Sequence, residues 1–458
     1  MNQGLRLDRL AKDTLLNLLR QGLNIALGIA TSVVLARGLG VEDRGLYALA
    51  TLLPTLVFTF TNFGLSSSTA YYVARGKYEM DRAFNSGSVL AFWIGIISLM
   101  IGTLVIILFH DALFKDVPLM LLFISLAAVP ATLLANSLQS IFQGSQDFKS
   151  YNALGIFPQI FMLVMFFILI WMFDMGVIGA VWTYLTGAWF SAILLVSIFI
   201  YRSAHTKRKT NTKFTLSIDR EYAVDIFSYG IKSHLANIVA FLNYRGDTFL
   251  VNFLAGASAV GVYGISVGMA ERLWILSGAI STVLFPRIAS LESEGNKRDI
   301  LTPLIARHVL LLTILMAVGV GVLSNWLIVM LYGREFIGSV AALRWLMPGV
   351  IAVSMSRVLA NDIAGRGFPQ INLKQSLVAF AINMTANIIL IPKFAASGAA
   401  IASTISYTIL ALMKTAAYSK LTGTHWRVIW FPIAEDIEGW KTLLALARKK
   451  IIGKEAAE

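Results

Sequence analysis

Long apolar runs separated by short polar breaks dominate the chain. A helix needs about 20 apolar residues to cross a bilayer. Segments of that kind lie near 14–36, 45–69, 84–109, 118–142, 151–173, 177–201, 224–254, 258–286, 302–331, 338–364, 371–391 and 397–419. A closed barrel would need strands of alternating polarity. Runs such as Phe161–Trp171 are apolar throughout and do not alternate. The pattern predicts an all-α polytopic membrane protein of about 12 transmembrane helices.

The pattern is also written twice. Gly40, Gly45 and Tyr47 follow an apolar run as G-x4-G-x-Y, and Gly256, Gly261 and Tyr263 repeat it 216 residues later. Gly179-Ala180 and Gly398-Ala399 open the last apolar segment of each half, and Gly144 and Gly365 sit at matching segment ends. The repeat predicts two pseudo-symmetric six-helix lobes, 1–202 and 223–421, joined by a basic linker, 203–222, and followed by a tail, 422–458. Duplicated membrane bundles usually move against each other around a site at their interface. The duplication therefore points to a transporter.

Composition agrees. Hydrophobic residues make up 57% and charged residues 14%, against roughly 45–50% and about 25% in soluble domains. Lys and Arg set the topology. With the N-terminus in the cytoplasm, the cytoplasmic segments hold 25 of them and the opposite loops hold 5: Arg37, Arg44, Lys115, Arg334 and Lys393. Positive residues stay inside, so both termini are expected in the cytoplasm. The net charge of +13 is mostly this bias. It implies contact with anionic lipid at the cytoplasmic face and gives no reason to expect nucleic acid. Met1–Asp13 is basic, but the apolar run after it is too long and lacks a clear cleavage site for a signal peptide. In the tail, Ile437, Trp440, Leu444, Ala447 and Ile451 recur at helical spacing beside Lys441, Arg448, Lys449 and Lys450. That reads as a surface helix over 435–451, and truncation after Gly423 is expected to leave an inserted protein.

Enzyme signatures are missing. The five histidines, His110, His205, His234, His308 and His425, lie far apart, and there is no cysteine. No G-x4-G-K-[ST] loop exists, and no carboxylate pair in the short outer loops resembles a glycosyl-transfer site. Neither metal nor organic cofactor is expected.

The candidate chemistry lies in polar residues within the spans. Asn17, Gln21, Asn24, Gly28 and Thr31 share a stripe of the first span, with Arg20 beside Asn24. Thr51, Thr55, Asn62, Ser66 and Thr69 share one on the second. In the seventh, His234, Asn237, Arg245, Thr248 and Asn252 share a face with Asp247 adjacent, and Glu271 and Arg272 lie mid-span in the eighth. A lone Ser or Thr in a membrane helix more often just bonds its neighbours. Charge there is costly and usually faces a cavity or a partner. Arg272 lies about 20 Å from either end of its span at 1.5 Å per residue. Arg20, Lys232, Arg245 and Arg272 outnumber Asp247 and Glu271 in these four spans. A cationic cavity suits an anionic passenger, and Arg offers forked donors matched to phosphate. Arg307, Arg344, Asp362 and Lys414 read as interface or snorkelling residues, with Arg357 as an exception.

The run from Leu35 to Tyr47, with Asn62-Phe-Gly-Leu65, and the set Tyr229-Gly230, Asp247, Gly256, Gly261-Val-Tyr263 and Phe285-Pro286 resemble the polysaccharide-transport proteins. These are the lipid-linked oligosaccharide (Wzx-type) flippases, a branch of the superfamily that holds the multidrug and toxin extruders. The resemblance covers nearly the whole chain up to Leu421. It implies two lobes in a V, with a cleft lined by the first two helices of each. It also implies that undecaprenyl-diphosphate-linked glycan is turned from the inner to the outer leaflet for O-antigen, capsule or exopolysaccharide synthesis, alongside other polysaccharide assembly proteins. On this reading Arg20, Arg245 and Arg272 hold the diphosphate. Asn24, Thr55, Asn62, His234 and Asn237 line the cavity, and Asp247 or Glu271 couples a proton or sodium ion. The alternatives are a small-molecule exporter of the same fold, disfavoured by cavity charge, and a glycan polymerase or ligase, disfavoured by the short outer loops.

The topology can be tested on a cysteine-free background. Ser145→Cys and Ser203→Cys are expected to resist an impermeant external thiol reagent in intact cells, whereas Ala112→Cys and Ser397→Cys label. Labelling at Ser203→Cys would reverse the orientation.

Overall fold

In a computed structural model of the chain, residues 2–205, 219–274, 295–433 and 436 are described. The described residues are almost entirely helical. The helices are α1 (Asn2–Thr61), α2 (Leu65–Ala74), α3 (Met80–Leu113), α4 (Leu119–Leu126), α5 (Val129–Gly144), α6 (Phe148–Phe166), α7 (Gly176–His205), α8 (Arg220–Arg272), α9 (Gly295–Tyr332), α10 (Ser339–Gly365), α11 (Pro369–Thr422) and α12 (Trp426–Trp430). Among the described residues, nine helical segments are long and apolar enough to cross a membrane. Three of them are continuous in hydrogen bonding but broken at one residue: α1 at Gly40, α8 at Gly256 and α11 at Ala395. Each of the three supplies two limbs, which accounts for the expected 12 spans.

The breaks explain the first glycine of the repeat. Gly40 has φ 73°, ψ −176° and Gly256 has φ 82°, ψ 175°. An L side chain resists that conformation, and glycine adopts it freely. The same turn thus joins the first two limbs of each half.

Side chains are distributed as lipid solvent requires. On α3, Met100, Leu104, Ile107 and Leu108 are exposed, while Ala91, Ser98 and Gly102 face inward. Large apolar groups gain nothing by leaving lipid, so helices associate through small residues and local hydrogen bonds. Ser98 shows both, donating to Thr61 Oγ1 at 2.7 Å and to the Ile94 carbonyl at 2.7 Å.

The chain packs as two compact units. Unit 1 comprises Met1–Gly268, Asn325–Ala342 and Met384–Ala400, and unit 2 comprises Met269–Ser324, Leu343–Asn383 and Ile401–Glu458. Unit 2 has a core of Ala306, Val309, Leu310, Met355, Val358, Leu359 and Ile363. Two expectations change there. Arg307 does not snorkel. It is buried and clamps Asp436, donating from Nε to Oδ2 at 2.6 Å and from Nη2 to Oδ1 at 2.9 Å, with a third bond from Nη1 to the Val428 carbonyl at 2.6 Å. Asp362 and Lys414 are buried as well. Asp362 accepts from Arg366 Nε at 3.1 Å, and Lys414 donates to Asn372 Oδ1 at 2.8 Å. The periodicity of these helices could not distinguish a snorkelling cation from one whose partner arrives from a distant segment.

The start of the tail is also part of the fold. Ile429 is fully buried in the unit 2 core, and Trp430 Nε1 donates to Thr415 Oγ1 at 3.1 Å. Truncation after Gly423 would remove these contacts, so the inserted protein is expected to be less abundant. The proposed surface helix over 435–451 lies outside the described residues apart from Asp436. Asp436→Ala is expected to cost about 3–5 kcal/mol, because it strands a buried guanidinium. An apolar replacement of both partners, Arg307→Met with Asp436→Leu, is expected to recover most of that loss. Thermal unfolding in detergent reads both; equal stability of Asp436→Ala and the parent would refute the pair's importance.

Candidate functional site

Unit 1 brings the two copies of the repeat against each other. Gly45 and Gly261 face one another across the second limbs of α1 and α8. A Cβ on Gly45 would strike the Ala257 carbonyl and come within 3.1 Å of Gly261 N. A Cβ on Gly261 would strike the Val41 carbonyl and come within 3.3 Å of Gly45 N. Val41 and Ala257 are themselves equivalent in the repeat, so the contact is reciprocal. The second glycine of the motif is there because backbone meets backbone.

The third residue of the motif does chemistry in one copy. Tyr263 Oη donates to Asp247 Oδ2 at 2.5 Å, and Thr248 Oγ1 donates to Asp247 Oδ1 at 3.3 Å. Asp247 is buried, so both limbs of α8 supply hydroxyls to a carboxylate in the span. Arg245, two residues away, is half-buried, and its Nη1 lies 3.4 Å from the Tyr244 carbonyl. In the other copy Tyr47 is buried edge-on to Phe166, with Arg44 over its ring at 5.6 Å.

The remaining candidates divide. Asn62 turns its amide on its own helix, donating to the Phe58 carbonyl at 3.0 Å and accepting from Gly64 N at 2.8 Å. Thr55 is exposed and donates to the Thr51 carbonyl at 2.9 Å. These are the local bonds that Thr and Asn favour in membrane helices. Asn237 is exposed. Asn24 is half-buried, and its Oδ1 has no hydrogen-bond partner among the described residues. His234 is buried, its ring centroid 5.2 Å from that of Phe63, and its Nδ1 likewise has no hydrogen-bond partner there. The Arg20 side chain lies outside the described residues. Glu271 and Arg272 belong to unit 2 and are half-buried. Arg357, also in unit 2, lies over the buried Trp274 ring at 4.3 Å, an arrangement worth about 0.5–2 kcal/mol.

A further cluster went unnoticed in the sequence. It lies at the end of unit 1 that carries the basic loops. The turn between α2 and α3 supplies Lys77, Tyr78 and Arg82, and the start of α8 and the residue before it supply Asp219, Glu221 and Asp225. Lys77 pairs with Asp225 and reaches Glu221 at 3.7 Å. Tyr78 Oη donates to Asp225 Oδ2 at 2.5 Å, and Arg82 pairs with Asp219 and with Glu221 at 2.9 Å. The hydrogen bond from Arg82 holds the Asp219 carboxyl below the usual carboxylate range. Alongside, Tyr71 stacks on Tyr229 at 4.2 Å, Thr69 and Tyr222 share a 2.8 Å hydrogen bond, and Gly64 meets Gly230. The three acids lie within seven residues after a long basic stretch, the one sequence sign of this role.

With this geometry in hand, the comparisons decide the family. The polysaccharide biosynthesis protein family matches residues 34–341. The chain belongs to that family. It is 21% identical to the probable low-salt glycan biosynthesis flippase Agl15 of Haloferax volcanii, over 49% of this chain and 50% of that one. The chain spans about half the length of the curated relatives it matches. In fold it is similar to the lipid II flippase MurJ in an inward closed conformation, with TM-score 0.73 and 16% identity over 89% of this chain and 87% of that one. It is also similar to an inward-facing multidrug resistance MATE family transporter of the MOP superfamily, with TM-score 0.68 and 18% identity over 88% and 96%. The expected multi-pass, MATE-like fold is therefore present.

The Asp247 site can be tested by thermal unfolding. Tyr263→Phe keeps the ring and deletes the donor to a buried carboxylate, so it is expected to cost about 1–3 kcal/mol. Adding Asp247→Asn removes the stranded charge and should recover part of the loss. No loss in Tyr263→Phe would show that the bond is not needed.

Proposed function

We propose that this protein is a flippase that turns undecaprenyl-diphosphate-linked glycan units from the inner to the outer leaflet of a bacterial inner membrane, by alternating access of two lobes, 1–202 and 223–421. The observation that carries the reading is the surplus of positive charge on the first two spans of each half, Arg20, Lys232, Arg245 and Arg272 against Asp225, Asp247 and Glu271, in a chain of a polysaccharide biosynthesis family with a transporter fold. The diphosphate would take the forked donors of Arg20, Arg245 and Arg272. The sugars would occupy the polar stripe of Asn24, Thr55, Asn62, His234 and Asn237, and the isoprenoid chain would stay in lipid. Asp247 or Glu271 would carry the coupling proton or sodium ion. Asp247 suits that role by its burial and by its two hydroxyl donors.

Deleting the gene is expected to make a lipid-linked sugar accumulate on the cytoplasmic leaflet, and its structure names the glycan. Arg272→Ala is expected to weaken binding by about one to two decades, because a charge-assisted contact is worth roughly 1.5–3 kcal/mol. Lys at 272 should rescue only in part, since a point charge lacks the fork. Export and membrane abundance are measured together. Export restored by removing Glu271 or Asp247 alongside Arg272 would sink the diphosphate assignment, because it would show that Arg272 serves only to neutralise a carboxylate.

A further inference from the structure

We propose that the ion pairs between the α2–α3 turn and the start of α8 form a reversible latch, which closes the basic end of unit 1 and must separate for that end to open. The inference rests on the alternating-access reading above, and it adds the residues that hold one gate shut.

Three features make this cluster a latch rather than fixed glue. The first is segregation of charge. In each pair the cation, Lys77 or Arg82, comes from the first lobe, and the carboxylate, Asp219, Glu221 or Asp225, comes from the end of the linker or the start of the second lobe. Opening therefore breaks every one of these pairs at once.

The second is water. The Lys77 and Arg82 side chains are 41% and 43% exposed. Charges already in contact with water separate without the desolvation penalty that locks a buried pair. The Arg307–Asp436 pair, 4% and 0% exposed, is the opposite case and serves as a permanent joint.

The third is what lies beneath the ions. Tyr71 and Tyr229 meet face to face, and Gly64 meets Gly230 backbone to backbone. Phe63 meets Phe227 edge-on at 5.7 Å, and Ser68 reaches across to the Ile226 carbonyl at 3.0 Å. Flat rings and glycine surfaces part without unthreading side chains. Thr69, hydrogen-bonded to Tyr222 across the seam, is fully buried and becomes a reporter of parting.

The chain has no cysteine, so Thr69→Cys can be the sole thiol. In purified protein, its labelling rate by a small hydrophilic maleimide measures opening. Arg82→Glu or Asp219→Arg, each placed in that background, is expected to raise the rate by about tenfold, since the first turns two attractive contacts and the second one attractive contact into repulsion. The exchanged pair Arg82→Glu with Asp219→Arg should return it towards the starting value. Sodium chloride at about 1 M, where the screening length falls to roughly 3 Å, should raise the rate in the Thr69→Cys protein and raise it less in the single reversals. Size exclusion and thermal unfolding confirm that each variant is folded; should a reversal fail to fold, the salt series on Thr69→Cys alone decides. Rates unchanged by reversal and by salt would overturn the latch, as would acceleration that the exchanged pair does not undo. The assay needs no glycan, so the latch can fail while the flippase reading stands, and the reverse.

Discussion

The contact on which unit 1 depends is the crossing of Gly45 on Gly261. Lipid gives helices no hydrophobic reason to associate, so close backbone approach and local hydrogen bonding must hold them. A single methyl group on either glycine would collide with a carbonyl of the other limb. The reciprocity of the contact also accounts for the duplicated motif. Each copy provides the turn at its first glycine and the approach at its second, and the two copies complete one crossing.

Charge is handled differently in different places. In unit 2 it is buried and matched, as in Arg307 with Asp436 and in Arg366 with Asp362 and Asp299. Those pairs tie the tail and the helix ends into one body, because removing one partner strands the other away from water. At the basic end of unit 1 the pairs are wet and join the first lobe to the end of the linker and the start of the second lobe. In mid-span, Asp247 accepts hydrogen bonds from two hydroxyls, those of Tyr263 and Thr248. The buried pairs suit permanent joining, and the water-exposed ones suit the reversible closure proposed above.

The crossing and the ion pairs also differ in what they ask of the chain when it moves. Glycine against glycine depends on shape, is indifferent to salt, and tolerates rotation about the contact. Ion pairs in water depend on screening and on what other charges arrive. Beside these ion pairs, Arg75 lies over the Tyr71 ring at 4.6 Å.

The sequence by itself determined the helical membrane class, the 12 limbs, the duplication and the family resemblance. Each depends on local or periodic information: apolar run length sets a span, and Gly40 and Gly256 mark turns that only glycine makes easily. The polar stripes were legible as well, but what their residues touch was not. Asn62 and Thr55 spend hydrogen bonds on their own helix, whereas Tyr263 reaches back 16 residues to Asp247. The tertiary structure alone decided that Arg307 meets Asp436, 129 residues away, and that Lys77 meets Asp225, 148 residues away. Residue type and spacing show that a charge needs an answer. Which distant group supplies it depends on how the helices pack, and packing of helices in lipid is set by small residues and backbone approach that leave only faint marks in the apolar pattern.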